Sequence, residues 1–388
     1  MNITFLLGNG FDIQCGLQTS YINFYEYILK KKYSLELSQE MDEKSVLKID
    51  NMIYSEIYKS KDNIQTWADL EFQLGMFTRR LKEENQYTST STSTAERFLE
   101  DFEILREDLN DYLKGIQIQD DVQINEDFSE ILFTTMDKFF NGVLEQEHDE
   151  IKSTLSKNTN SHFNYRFISF NYTNSLQIVL QNSSKNTKRN VFNSSNLNQN
   201  FNKAIINVHG VIDRFLTLGL NDESQLATDF FEREDLNDLL KPDSLANSRE
   251  YRRRNAENVI ENSDIIVIFG MSIGSTDKHW WERIAETLLK NANKKLIIHL
   301  YETEPSYLSS RIVRLRRKRK EDEFLSHLDN LDLSDEKKSQ LRKQIYIVTN
   351  SQFIINADLR KYLNQVEGKS DNIIDFETKD NKLSETST

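Results

Sequence analysis

A doubly wound α/β fold with a mainly parallel sheet is what this 388-residue sequence predicts. Short apolar runs rich in β-formers recur along the chain, and most are continuous rather than alternating. Strands covered on both faces have no solvent side, so their apolar residues need not alternate. Helical segments lie between several of these runs, giving the rhythm of βαβ units.

The expected strands are 3–7 (ITFLL), 167–170 (FISF), 204–208 (AIINV), 265–269 (IIVIF), 296–301 (LIIHLY) and 345–348 (IYIV). Helices are expected over 279–291, after GMSIGSTDK, and over 306–320, after ETEP. Roughly 160 residues separate the first two strands, far more than a crossover requires. That interval contains YINFYEYIL, SVLKIDNMIYSEIY, WADLEFQLGMFTRRL, AERFLEDFEILREDLNDYLKGI and FSEILFTTMDKFFNGVLEQ, with apolar residues recurring at three and four. The chain therefore divides into an α/β core, 1–30 and 165–350, and a helical insertion, 31–164. The polar stretches 87–96 (YTSTSTSTAE) and 182–203 read as surface loops, and 368–388 as a disordered tail.

Composition narrows the function. A formal net charge of −13 opposes nonspecific nucleic-acid binding by the whole chain. Cys15 is the only cysteine, which excludes an intrachain disulfide and a Cys-based zinc ribbon. No apolar stretch approaches a membrane span and no basic segment precedes the first apolar run, so a cytoplasmic location is expected.

The residues that could carry chemistry sit where the apolar runs end. Gly8-Asn9-Gly10 follows the first strand, and two glycines there suit either a backbone close to phosphate or a tight turn. Ile13 stands where a dinucleotide fingerprint has its third glycine, which weakens a dehydrogenase reading. Asn171 ends the second strand and can orient a ribose hydroxyl or a water; the bland alternative is that Asn171 and Asn174 cap the next helix. His209, between an apolar strand and Gly210, is the histidine best placed for proton transfer. Gly270 and Ser272 could face a phosphate or ribose. Asp277 reads first as the N-cap of KHWWERIAETLL, and Glu302 as a solvated loop acid or a ribose ligand. No histidine pair has metal-ligand spacing on one helix, so no metal is expected. RIVRLRRKRK (311–320) carries seven basic residues in ten and reads as a solvated helix face balanced by EDE, with nucleic-acid binding as the alternative.

Taken in order, these motifs resemble the bacterial abortive infection protein AbiH family. The shared features are LLGNGFDIQCGLQTSY, WADLE (67–71), SFNYTN, VHG, LGLND (218–222) and IFGMSIGSTD. The resemblance implies antiphage defence and draws attention to Trp67 and Glu71. A more distant resemblance is to sirtuin-type NAD-binding folds. Gly8, Gly10, Gly16 and Leu17 fall in register with that family's glycine turn, Phe170–Thr173 with its Gln-Asn-Ile-Asp, His209-Gly210 with its His-Gly, and Gly270–Ile273 with its Gly-Thr-Ser-Leu. Asn9 replaces its alanine, Asp12 its serine and Thr173 the aspartate of its nicotinamide pocket, and its zinc cysteines are absent.

These resemblances imply an NAD glycohydrolase rather than a deacylase. Asn171 and His209 would be catalytic. Gly8, Asn9, Gly10, Asp12, Gly270, Ser272 and Glu302 would bind the nucleotide, with Trp67, Glu71, Thr173 and Asp277 as additional candidates. NAD would be substrate or ligand. The alternatives are a non-catalytic sensor of NAD or ADP-ribose and, further off, a nuclease or RNA-binding effector. The partners expected are the nucleotide and a second copy or defence-system protein, with neither membrane nor nucleic acid.

Overall fold

The computed structural model describes residues 1–37, 43–61, 67–85, 91–118, 138–156, 162–182, 186–191, 194–212, 218, 226–239, 246–300 and 310–349. Glu302, most of LGLND and the tail at 368–388 lie outside the described residues.

A seven-stranded sheet forms the centre, in the order β3-β4-β2-β1-β5-β6-β7. The strands are β1 (Asn2–Leu7), β2 (Phe163–Ser169), β3 (Asn186–Val191), β4 (Ser194–Asn207), β5 (Ile265–Phe269), β6 (Lys295–His299) and β7 (Ile345–Val348). All neighbours pair parallel except β3, which runs antiparallel along β4. Without β3 the order is that of a doubly wound dinucleotide-type sheet, whose direction of growth reverses beside β1.

The apolar strands behave as their sequence predicts. Phe5 and Leu7 of β1 join Phe167, Val267, Phe139 and Ile151 on one face. Leu6 joins Ile168, Ile266, Ile298, Trp281 and Phe324 on the other. Strands β1, β2, β5, β6 and β7 are thus covered twice, and a polar residue at the crowded positions must be matched. Thr4 Oγ1 meets Ser263 Oγ at 2.6 Å in the buried layer. Where the sheet begins, Asn2, Asn164 and Asn200 form a side-chain amide ladder across β1, β2 and β4.

The expected loop at 182–203 is corrected: most of it is the β3–β4 hairpin. Its Asn-rich sequence carries little strand propensity, and the backbone ladder offered by β2 supplies what propensity does not. The stretch 91–96 is likewise helix rather than loop, because a long helix extends cheaply once nucleated.

The helices are α1 (Asn9–Gln14), α2 (Tyr21–Ile28), α3 (Glu43–Leu47), α4 (Met52–Lys59), α5 (Trp67–Asn85), α6 (Ser91–Ile116), α7 (Glu145–Ser156), α8 (Ser175–Asn182), α9 (Arg233–Leu239), α10 (Ala246–Glu261), α11 (Lys278–Lys290), α12 (Ser310–Ser326) and α13 (Asp335–Arg342). Helices α2, α4, α5 and α6 build a separate apolar cluster with Ile212, Leu218 and Phe231. Ile151 and Leu155 of α7 pack on the sheet instead. Along the basic run, Arg311, Arg314, Lys318 and Arg319 are exposed, as a solvated face requires. Arg317 departs from that reading: it is buried and donates to the Ile347 carbonyl and to Glu147.

Candidate functional site

Every parallel strand from β4 to β6 delivers its carboxyl end to one cavity of about 480 Å³. Gly8 follows β1, Asn171 and Thr173 follow β2, His209 follows β4, Gly270 and Ser272 follow β5, and His299 ends β6. The cavity lies at the reversal between β1 and β5, where open α/β sheets bind their ligands. Asn9, Gly10, Asp12, Glu71 and Asp277 also line it. Trp67 lies on α5 with Glu71, at the helix start. Sequence separation hides this convergence, which sheet register produces for the strand ends and helix packing for Glu71.

The two glycine turns meet each other. Gly8 N donates to Phe269 O and Gly10 N to Gly270 O, each at 2.9 Å. A Cβ on Gly10 would stand 2.5 Å from Gly270 Cα, and one on Gly8 would stand 2.6 Å from Gly270 O. Gly270 itself has φ +67, a region that favours glycine. Phe11 N donates to Gly8 O at 2.9 Å, so the amides of this turn that a phosphate could use are largely committed to carbonyls. The close approach written into Gly8-Asn9-Gly10 is therefore the approach of one turn to the other.

Asp12 is buried at the cavity floor, and Thr173 Oγ1 donates to its Oδ2 at 2.6 Å. Thr173 Oγ1 also lies 3.0 Å from Ser175 Oγ. Burial pushes the Asp12 carboxyl up to about 6, against hydrogen bonds from Thr173, Ser175 and Asn171 that pull it down. Asp12 Oδ1 and Asn171 Oδ1 are buried with no hydrogen-bond partner. Two acceptors without donors at one cavity floor suit a ligand that brings N–H or O–H groups.

The raised pKa has a consequence for stability. Between the ordinary value of 3.8 and the folded value of about 6, the folded chain holds a proton that the unfolded chain has lost. Asp12 therefore opposes folding increasingly as pH rises through that window, and has no such effect below it. Asp12→Asn is expected to stabilise the protein by up to about 3 kcal/mol near neutral pH and to change little near pH 4. Urea-unfolding midpoints at the two pH values check this.

His209 is mostly buried, edge-on to Phe170 at 5.1 Å between ring centroids and tilted against Tyr172 at 6.2 Å. Asp277 Oδ1 lies 3.2 Å from His209 Nε2. Asp277 does occupy the N-cap position of α11, yet its side chain makes no cap hydrogen bond. The cap reading is thus corrected: position 277 begins the helix, but the carboxylate lies at the histidine and makes no side-chain cap, forgoing about 1 kcal/mol.

Glu71 comes from the helical cluster, is buried, and brings a third carboxylate to the cavity beside Asp12 and Asp277. His299 also lines it, but its ring is tied into the core, with Nε2 donating to Phe139 O at 2.8 Å. Burial lowers its pKa to about 3, so it is neutral near physiological pH. Lys320, paired with Glu323 at 2.9 Å, is a charged lining residue that the sequence did not announce. Its place in a basic run disguised it as part of the solvated face. Among the described residues, no three His, Cys, Asp or Glu side chains converge as a metal site.

A sequence model of the bacteriophage abortive infection AbiH family matches residues 4–299. The chain belongs to the AbiH family. That membership places it in phage abortive infection, a defence role. The matched span of this AbiH protein begins in β1 and ends with β6, so it takes in all five strand ends around the cavity. No curated protein matches the chain. Among its described residues, no helix is long and apolar enough to cross a membrane.

Proposed function

We propose that this AbiH protein is an antiphage effector that cleaves NAD at the nicotinamide–ribose bond, with Asn171 and His209 as its catalytic residues. The observation that carries the reading is their convergence, from two strand ends, on one cavity lined by Asp12, Glu71 and Asp277. Cleavage passes through an oxocarbenium-like state on the ribose, and the nicotinamide ring is cationic beforehand. Carboxylates around that centre favour positive charge where it resides and where it develops.

Asn171 orients the ribose or the attacking water, and His209 accepts a proton from that water or a ribose hydroxyl. As the water oxygen bonds to C1 of the ribose, the C1–N bond breaks and its electron pair stays on the nicotinamide nitrogen. Nicotinamide leaves neutral, and the proton passes through His209 to solvent. Lys320 supplies counter-charge to the pyrophosphate, and Ser272 contacts the adenosine side. The turn at Gly8, Asn9, Gly10 and Gly270 bounds the nucleotide more than it donates to it.

The sirtuin-like resemblance raised a difficulty at Thr173, where that family has an aspartate. Its contact with Asp12 supports the reading nonetheless: where the family has serine and aspartate, this chain has aspartate and threonine, and the two touch. A carboxylate and a hydroxyl thus stand together in this chain, and the Asp12 carboxylate supplies an acceptor for the nicotinamide amide.

The test is incubation of the full-length protein with NAD and chromatography of released nicotinamide, alone and with extract from phage-infected cells. Stoichiometric nicotinamide and ADP-ribose are expected. Binding of ADP-ribose with no release under either condition would instead establish the nucleotide sensor.

A further inference from the structure

We infer that Asp277 is the positioning residue of His209: its carboxylate holds the imidazole with Nε2 protonated, presents Nδ1 as the basic nitrogen, and stabilises the imidazolium formed on proton uptake. Its part in turnover rests on the hydrolase reading above; the coupling between the two side chains does not.

Three observations carry it. The carboxylate sits at the start of a helix and yet turns from the helix amides to within 3.2 Å of Nε2. The helix dipole at that end still favours its ionised form, so it faces the ring as an anion. The base it stands on is fixed. Trp281 Nε1 donates to Gly274 O at 2.8 Å, Thr276 is buried, and α5 packs against residues 275–277. The ring it faces is fixed as well. His209 lies edge-on to Phe170, and Phe170 lies edge-on to Trp280 of the helix that Asp277 begins, at 5.7 Å. Ring, carboxylate and helix therefore share one rigid unit. Asp12 from α1, Glu71 from α5 and Lys320 from α12 are the other charged groups lining the cavity into which His209 faces.

A carboxylate that orients an imidazole fixes its tautomer and raises its proton affinity. With the proton on Nε2, the lone pair is on Nδ1, the nitrogen that must take a proton in turnover. Asp277 acts through His209 and touches no reacting atom.

The experiment follows the imidazole titration of His209 by NMR in the ligand-free full-length protein, assigned by its loss in His209→Gln. Asp277 makes no side-chain cap bond and Asn has nearly its shape, so Asp277→Asn retains the fold. Its His209 midpoint is expected to fall by roughly one pH unit, while Asp277→Glu keeps most of the wild-type value. With NAD, Asp277→Asn should lower kcat roughly tenfold with KM near wild type, and move the acid limb of the pH profile downward. An unmoved midpoint in folded Asp277→Asn overturns the inference, as does a moved midpoint with unchanged kcat. A midpoint that moves in Asp277→Asn, when the wild-type protein cleaves no NAD, supports the coupling and removes the hydrolase reading. Cleavage by Asp277→Asn at the wild-type rate removes the inference and leaves that reading standing.

Discussion

His209→Ala is expected to reduce nicotinamide release by about 10² to 10⁴-fold with little change in affinity for NAD, the range over which a positioned acid or base acts. The residue is suited to the task by its surroundings. It lies at a strand end, wedged between aromatic rings with Asp277 at one nitrogen, and it opens onto the cavity. Asn171→Ala should produce a loss of similar order, because a misplaced ribose or water costs the alignment that makes the step unimolecular. Single-turnover rates measured beside equilibrium binding separate these effects. Wild-type rates in both variants would move the chemistry away from these strand ends. Such rates in a protein that also lost activity on neutralising Arg316 and Arg319 would favour the nucleic-acid effector.

Gly270→Ala is expected to cost about 3 kcal/mol or more of stability and to abolish nucleotide binding. Two penalties combine. A left-handed φ of +67 is unfavourable for any residue with a Cβ. That Cβ would also stand 2.7 Å from Phe11 N and 2.8 Å from Gly10 Cα, which are backbone atoms with no rotamer to retreat into. The only relief is to part the β1 and β5 turns, and the cavity between them opens when they part. Thermal denaturation and ligand titration on the same sample test both halves. A variant of wild-type stability would show that the turns separate freely, against their paired hydrogen bonds at 2.9 Å.

The α/β sheet was legible in the sequence because each central strand is buried on both sides, and double burial writes itself locally as an unbroken apolar run. Phe5 and Leu6 face opposite clusters, yet both had to be apolar. The β3–β4 hairpin was not legible, since its polar residues form a strand only because β2 offers a partner ladder. In the site, Asn171 and His209 stood out because strand ends place ligands in such sheets, and strand ends could be found. Asp277 also stood out, read first as a helix cap and second as a site candidate, and only the cap bond is missing from the structure. An aspartate before a helix is ordinarily a cap, and nothing adjacent in sequence says that a histidine is in reach.

What the sequence by itself determined was the parallel core, the order of its strand-end motifs and the AbiH membership those motifs carry. Tertiary structure alone decided which of these residues meet. Asp12 and Thr173 are 161 positions apart and share one hydrogen bond. Glu71 reaches the cavity from a helical cluster, Lys320 from a run that looked solvated, and Gly10 finds its close neighbour in Gly270. Local periodicity reports burial, which each residue experiences individually. A site is a set of distances between residues, and those are fixed only when the sheet sets its register and the helices close over its carboxyl edge.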